Sequence, residues 1–104
     1  MIVGSILFLL SGGFFANGVP HYVKGVIGNR HITPFKNPSS APANVLWGSA
    51  NFLVGLWIGI GATAFGVPLP LAGTTMIIGG GLIGYALARR WQNNPVAKGE
   101  STPT

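Results

Sequence analysis

The sequence has 104 residues, no cysteine and a single acidic side chain, and only 7% of its residues are charged. Without cysteine it can form neither a disulfide framework nor a thiolate metal site. Because Glu100 is the one side-chain carboxylate, paired-carboxylate catalysis, carboxylate proton relays and oxygen-rich calcium or magnesium sites are excluded within one chain. We therefore expect a protein that is not an enzyme, with no catalytic residues, no metal and no cofactor.

The few charges are basic and fall into two groups, one between the first two apolar runs and one after the last. A net charge of +5 gathered in this way does not resemble the basic face of a nucleic-acid-binding domain, so no nucleic-acid partner is expected. Basic flanks of this kind are typical of membrane proteins, where they attract anionic lipid head groups. The residues expected to contact head groups are Lys24, Arg30, Lys36, Arg89 and Arg90.

Three long apolar runs dominate the chain. A helix of about 20 apolar residues crosses a hydrocarbon core of ~30 Å, and the runs predict membrane spans at about residues 2–19, 45–65 and 69–90. Only a short uncharged turn separates the last two, so we expect them to fold back on each other. The predicted fold is an all-α membrane protein with a single transmembrane domain over residues 1–91. It consists of an N-terminal helix and a C-terminal helical hairpin.

The polar connection over residues 20–44 is expected to begin with a short amphipathic helix that lies in the membrane interface. Pro20 suits the first turn of a new helix, and apolar residues recur around it at helical spacing. They are Val19, Tyr22, Val23, Val26 and Ile27. The prolines that follow predict an irregular loop, with Ser39 or Ser40 as the N-cap of the next helix. The polar residues 92–104 predict a disordered tail.

With three spans, both basic groups lie on the same side of the membrane. The positive-inside rule makes that side cytoplasmic. The 20–44 loop and the tail are therefore expected on the cytoplasmic side of a cell membrane, and the N-terminus on the outer side. The three-span plan with its tail inside is similar to that of small phage lysis pore proteins, the holins, in topology alone. The long proline-rich connection departs from their compact loops.

Small residues recur with the same spacing, i, i+7 and i+11, in all three predicted spans. The positions are Ser5, Gly12 and Ala16 in the first span, Gly48, Gly55 and Gly59 in the second, and Gly73, Gly80 and Gly84 in the third. Small side chains let backbones approach closely, and this is what drives helices together in a bilayer. The pattern predicts tight packing, with a second copy of the chain or another membrane protein as the partner.

Four polar side chains are candidate functional residues. Asn51 lies about two turns inside the second span, where an unpaired amide is costly, and it shares a helix face with Asn44. An interhelical hydrogen bond is the favoured interpretation, and a polar ring that lines a pore is the alternative. His21 and His31 are the only side chains that titrate near neutral pH. We interpret them as interfacial imidazoles bonded to lipid or backbone, with ligand binding or pH sensing as the alternative.

The leading hypothesis is a small integral membrane protein without catalytic activity. It would act through helix packing, as a homo-oligomer or as an accessory subunit of a membrane complex. The alternative is an oligomeric pore or channel for ions or small solutes, built around Asn44 and Asn51. A third possibility is lipid or pigment binding that uses His21.

Overall fold

The computed structural model describes residues 1–99, and every regular element in that part of the chain is helical. Helix α1 covers Ile2–Val26, α2 covers Ala41–Ala62 and continues as a short 3-10 helix over Thr63–Phe65, and α3 covers Leu69–Trp91. Each of the three long helices has the length and apolar composition needed to cross a membrane. The prediction of an all-helical chain with three candidate spans is therefore confirmed.

Helix α1 is longer than the predicted first span. It runs through Pro20 to Val26 and so includes the residues assigned to a separate interfacial helix, which is not confirmed. Proline removes one backbone hydrogen bond. Contacts with α2, both before and after Pro20 along the chain, nevertheless stabilise the helix. Gly18 lies against the backbone of Gly48 in α2, and Gly25 lies against that of Ala41.

Helix α1 lies between the other two helices. It packs against both, whereas within the described residues α2 and α3 make no contact with each other. The expectation that α2 and α3 fold against each other as a hairpin is therefore wrong. The physical reason is that α1 has small residues on two faces. Gly18 meets α2 on one of them, and Gly12 meets the backbone of Met76 in α3 on the other.

Bulky apolar side chains contribute little to the interior. The buried apolar residues are Phe8, Ala62 and Ala72, at the end of the bundle that contains the N-terminus. Most large apolar side chains point outward instead, as do Ile2 and Leu69, which are 77% and 84% exposed. The helices are thus held together mainly by glycine contacts and by polar side chains between them.

Residues 27–40 form a folded loop between α1 and α2. Its two arms meet in one antiparallel bridge between His31 and Ser39, and Gly28, with φ of +85°, turns the chain after α1. Ser40 is the N-cap of α2, because its hydroxyl accepts a 3.2 Å hydrogen bond from the backbone N–H of Ala43. One of the two predicted caps is therefore confirmed.

The segment after α3 is more ordered than we expected. Residues 92–99 form hydrogen-bonded turns, in which Asn94 accepts from the backbone N–H groups of Ala97 and Lys98. The ammonium group of Lys24 donates a 3.0 Å hydrogen bond to the carbonyl of Val96, which ties this segment to α1. Residues 100–104 of the expected disordered tail, including Glu100, lie outside the described residues.

Candidate functional site

The candidate site lies at the end of the bundle where α1 ends, α2 begins and α3 ends, and we refer to it as the basic end. The side chains of Lys24, Arg30, Lys36, Arg89, Arg90 and Lys98 all belong to this end, because they flank these three termini. Among residues 1–99 there is no acidic side chain to balance them. The five residues predicted to contact head groups thus share one end of the molecule.

Asn44, in the first turn of α2, fixes the loop and one histidine at the same time. Its side chain is fully buried, and its amide nitrogen donates to the carbonyls of His31, Ser39 and Ser40 at 3.0–3.2 Å. The amide oxygen therefore faces His21 of α1 and lies 2.8 Å from Nδ1. Because that oxygen can only accept, Nδ1 of His21 carries the proton and Nε2 has the free lone pair.

His31 is buried between two other rings. Its ring centroid lies 4.9 Å from that of His21 and 5.5 Å from that of Trp91, and the residue is 1% exposed. Neither of its ring nitrogens has a hydrogen-bond partner among the described residues. Burial, followed by the neighbouring His21 and Lys24, lowers the pKa of His31 to about 4. His31 is therefore neutral at physiological pH, in the interior of the loop rather than at an open interface.

A row of polar contacts continues from Asn44 along the α1–α2 interface. Asn17 donates a 2.9 Å hydrogen bond to the side-chain oxygen of Asn51, whose own amide donates to the carbonyl of Trp47. Further along, the hydroxyl of Ser11 donates a 2.7 Å bond to the carbonyl of Gly55. The interhelical hydrogen bond favoured for Asn51 is present, and the Asn44 and Asn51 side chains are both used within the chain.

The small residues predicted to pack divide into two sets. Gly12, Gly48, Gly55 and Gly59 meet a neighbouring helix, and Gly80 lies at the edge of the α1–α3 contact near Gly12 and Ala16. Ser5 is half-buried. By contrast, Gly73 and Gly84 have no atom of another element within 4 Å of the position of an added Cβ. The predicted stripe of α3 thus lies beside its contact with α1 rather than within it.

A groove runs between α1 and α3 at the basic end, and we name it the α1–α3 groove. Its volume is about 430 Å³. Its walls are mostly apolar, with Lys24 and His31 as the ionisable residues among those that line it. Trp91 also lines it, and the Arg90 guanidinium lies over the Trp91 ring, 4.8 Å from its centroid. The groove combines an apolar channel with a positively charged end.

Sequence reasoning missed several residues of these interfaces. Asn17 and His21 are four residues apart in α1, and Asn44 and Asn51 are seven apart in α2, so each pair shares one helix face. Two polar residues on one face of each of two antiparallel helices could have indicated the pairs Asn17–Asn51 and His21–Asn44. Gly79 was also missed, although an added Cβ there would meet the backbone of Leu9.

No family model, curated protein or solved structure matches this chain. Within residues 1–99 there is also no group of three or more histidine, cysteine or carboxylate side chains that could hold a metal ion. The two histidines at the basic end do lie together, but neither meets a third ligand of these types.

Proposed function

We propose that this chain is a small integral membrane protein without catalytic activity, which works by packing against other membrane helices. It would do so as a homo-oligomer or as an accessory subunit of a membrane complex. All three long helices would cross a cell membrane, with the basic end in the cytoplasm and the N-terminus outside.

The observation that carries this proposal is the set of uncovered glycines on α3. Gly73, Gly81 and Gly84 would each accept a Cβ without meeting any atom of another element. A glycine inside a helix costs about 1 kcal/mol relative to alanine, and packing within one chain does not offset that cost at these three positions. A further helix that packs closely on α3 would supply the missing contact. We therefore expect the partner helix to pack on the face of α3 that carries Gly73, Gly81 and Gly84.

The proposal of membrane insertion rests on the apolar surface. Large exposed side chains such as Ile77, Trp57 and Leu46 are 77%, 62% and 72% exposed, on the outward faces of α3 and α2. Contiguous apolar patches of this kind are rare on soluble monomers but suit a bilayer. The basic end would then lie among lipid head groups, with Trp91 at the boundary between lipid and water.

The two other hypotheses gain less support. A pore lined by Asn44 and Asn51 would need these amides to face a channel, but both are buried and hydrogen-bonded within the chain. A carrier that uses His21 would need this imidazole to face its ligand, whereas its Nδ1 is already bonded to Asn44.

The intact mass of the protein in mild detergent tests the proposal. We expect the parent to have more than the 10.8 kDa of one chain, either as a multiple of that mass or with a larger protein bound. Gly73→Leu, at an uncovered glycine that does not line the α1–α3 groove, would hold a partner backbone away from α3 and weaken association by roughly tenfold or more. Gly61→Leu is the matched control, because Gly61 of α2 also faces open space. A parent that is always a single chain without a partner would contradict the proposal.

A further inference from the structure

We propose that the α1–α3 groove binds one anionic phospholipid, with its acyl chain along the apolar walls and its phosphate at Lys24. The proposal rests on membrane insertion but not on the association of helices, so a monomeric chain could still bind this lipid.

The shape and lining of the groove fit a lipid better than a soluble ligand. Its volume of about 430 Å³ lies within the range of ~300–1,000 Å³ typical of small-molecule sites. Apolar side chains such as Ala16, Val19 and Leu87 form most of its wall. An acyl chain can replace water along such a surface, whereas a free phosphate or sugar phosphate would leave it uncovered.

Lys24 provides the charge at the polar end of the groove. Its ammonium group has three hydrogen-bond donors, and the bond to the Val96 carbonyl uses one of them. A phosphate oxygen can accept from the others in a charge-assisted bond, which is stronger than a neutral one. Lys24 also lies in the last turn of α1, the level at which head groups would lie if this helix crosses the membrane.

His31 provides a second observation that points to a ligand at the groove. It lines the groove, it is 1% exposed, and both of its ring nitrogens are without a partner in the described part of the chain. Buried polar groups in native proteins nearly always have a hydrogen-bond partner, so an unpartnered imidazole requires an explanation. The neutral ring has one N–H donor, and an oxygen of the lipid head group would accept from it.

The charge at this end selects an anionic lipid over a zwitterionic one. Five basic residues flank the helix ends there, namely Lys24, Arg30, Lys36, Arg89 and Arg90, so this end of the described chain is positively charged. A choline or ethanolamine head group would add a further positive charge to this positively charged end, whereas a glycerol head group would not. Phosphatidylglycerol is therefore the probe we choose for the experiment.

Native mass spectrometry from vesicles of phosphatidylcholine with phosphatidylglycerol tests the site. We expect the intact protein to retain one phosphatidylglycerol molecule in preference to phosphatidylcholine. Lys24→Gln should reduce that retention about tenfold, because it removes the charge but keeps a donor for Val96. Lys36→Gln removes the same charge from an exposed loop position that does not line the groove, and its retention should match the parent.

His31→Phe serves as the second variant, because it keeps a ring between His21 and Trp91 but removes the donor. The His31→Phe variant should retain less phosphatidylglycerol than the parent protein. The helical content of the variant should equal that of the parent. Equal retention of the two lipids by the parent, or an equal loss in Lys24→Gln and Lys36→Gln, would overturn the proposal. So would displacement of the lipid by millimolar inorganic phosphate alone, which would identify a phosphate site.

Discussion

Asn17 of α1 donates a 2.9 Å hydrogen bond to the side-chain oxygen of Asn51 in α2. The two residues are 34 positions apart, and Asn51 is only 4% exposed. The same α1 face positions His21 against Asn44 one turn further along. The Asn17–Asn51 and His21–Asn44 pairs therefore fix the register of α1 against α2. The glycines set how closely the two helices approach.

The Asn17–Asn51 pair should give a measurable coupling energy. In membrane helices an interhelical hydrogen bond is worth ~0.6–2 kcal/mol, so Asn17→Leu and Asn51→Leu should each lower the free energy of unfolding in detergent. The double variant should lose less than the sum of the two, because the second substitution removes an amide whose partner has already gone. Strict additivity would show that the bond contributes nothing to stability.

Glycine contacts with α1 should matter far more than the other glycines of α3. Gly79→Ala would place a Cβ against backbone atoms of Leu9, which cannot move aside as the end of a flexible side chain can. We expect a loss of about 1–3 kcal/mol in the free energy of unfolding. Gly73→Ala and Gly81→Ala meet nothing within the chain. In the monomer they should be neutral or stabilise α3 by up to about 1 kcal/mol, because alanine is the better helix former.

If Gly79→Ala and Gly81→Ala had the same effect on unfolding of the monomer, the central position of α1 would be contradicted. Both substitutions lie in the same run of three glycines, so differences in helix propensity cannot account for different outcomes.

The helices themselves could be predicted because a long apolar run without charge leaves few alternatives. The packing partner could not, because the small-residue spacing in α2 and α3 is the same as in α1. Nothing in that pattern shows that Gly12 meets Met76 or that Gly84 meets nothing. The structure resolves this because α1 has small residues on two faces. The α2–α3 connection, in contrast, leaves those helices without contact.

The basic end was only partly predictable. The clustering of charge follows from the number of spans, which brings Lys24 and Arg89 to the same end. The burial of His31 could not be predicted from the number of spans. It depends on the hydrogen bonds that the Asn44 amide nitrogen donates to three backbone carbonyls, which hold the loop against the helices. The local chemistry of proline predicts a helix boundary at Pro20. Helix α1 continues through Pro20 because it packs against α2 on this part of its length.

Burial of His31 should make stability depend on pH. Its pKa is about 4 in the folded chain and near 6.5 when exposed, so the unfolded chain binds the proton more tightly. The contribution of His31 to stability is therefore complete above about pH 6.5 and is lost as the pH falls toward about 4. The loss should reach on the order of 3 kcal/mol. The midpoint of detergent unfolding, measured across this range, checks it.

His31→Phe is the control for that pH dependence, since it retains His21, Lys24 and the ring contact. Most of the slope between about pH 6.5 and pH 4 should disappear in this variant. A slope that persists unchanged would assign the pH dependence to another group.

Orientation can be tested with single cysteines, because the sequence has none of its own. Asn29 lies in the exposed loop at the basic end, and Ala64 is exposed at the opposite end of the bundle. We expect Ala64→Cys to react with an impermeant thiol reagent added to intact cells, and Asn29→Cys to react only after permeabilisation. The reverse labelling would place the basic end outside and contradict the positive-inside rule for this chain.

The most direct test of the proposed role is photo-cross-linking in the native membrane. A photoreactive side chain at Ile77 would sit on the same side of α3 as Gly73 and Gly84, whereas one at Trp57 would sit on the outward face of α2. We predict a discrete protein adduct from position 77, absent from position 57 and lost when Gly73→Leu is added. If both positions give lipid adducts alone, or the same protein adduct, α3 is not an association helix and the proposed function is wrong.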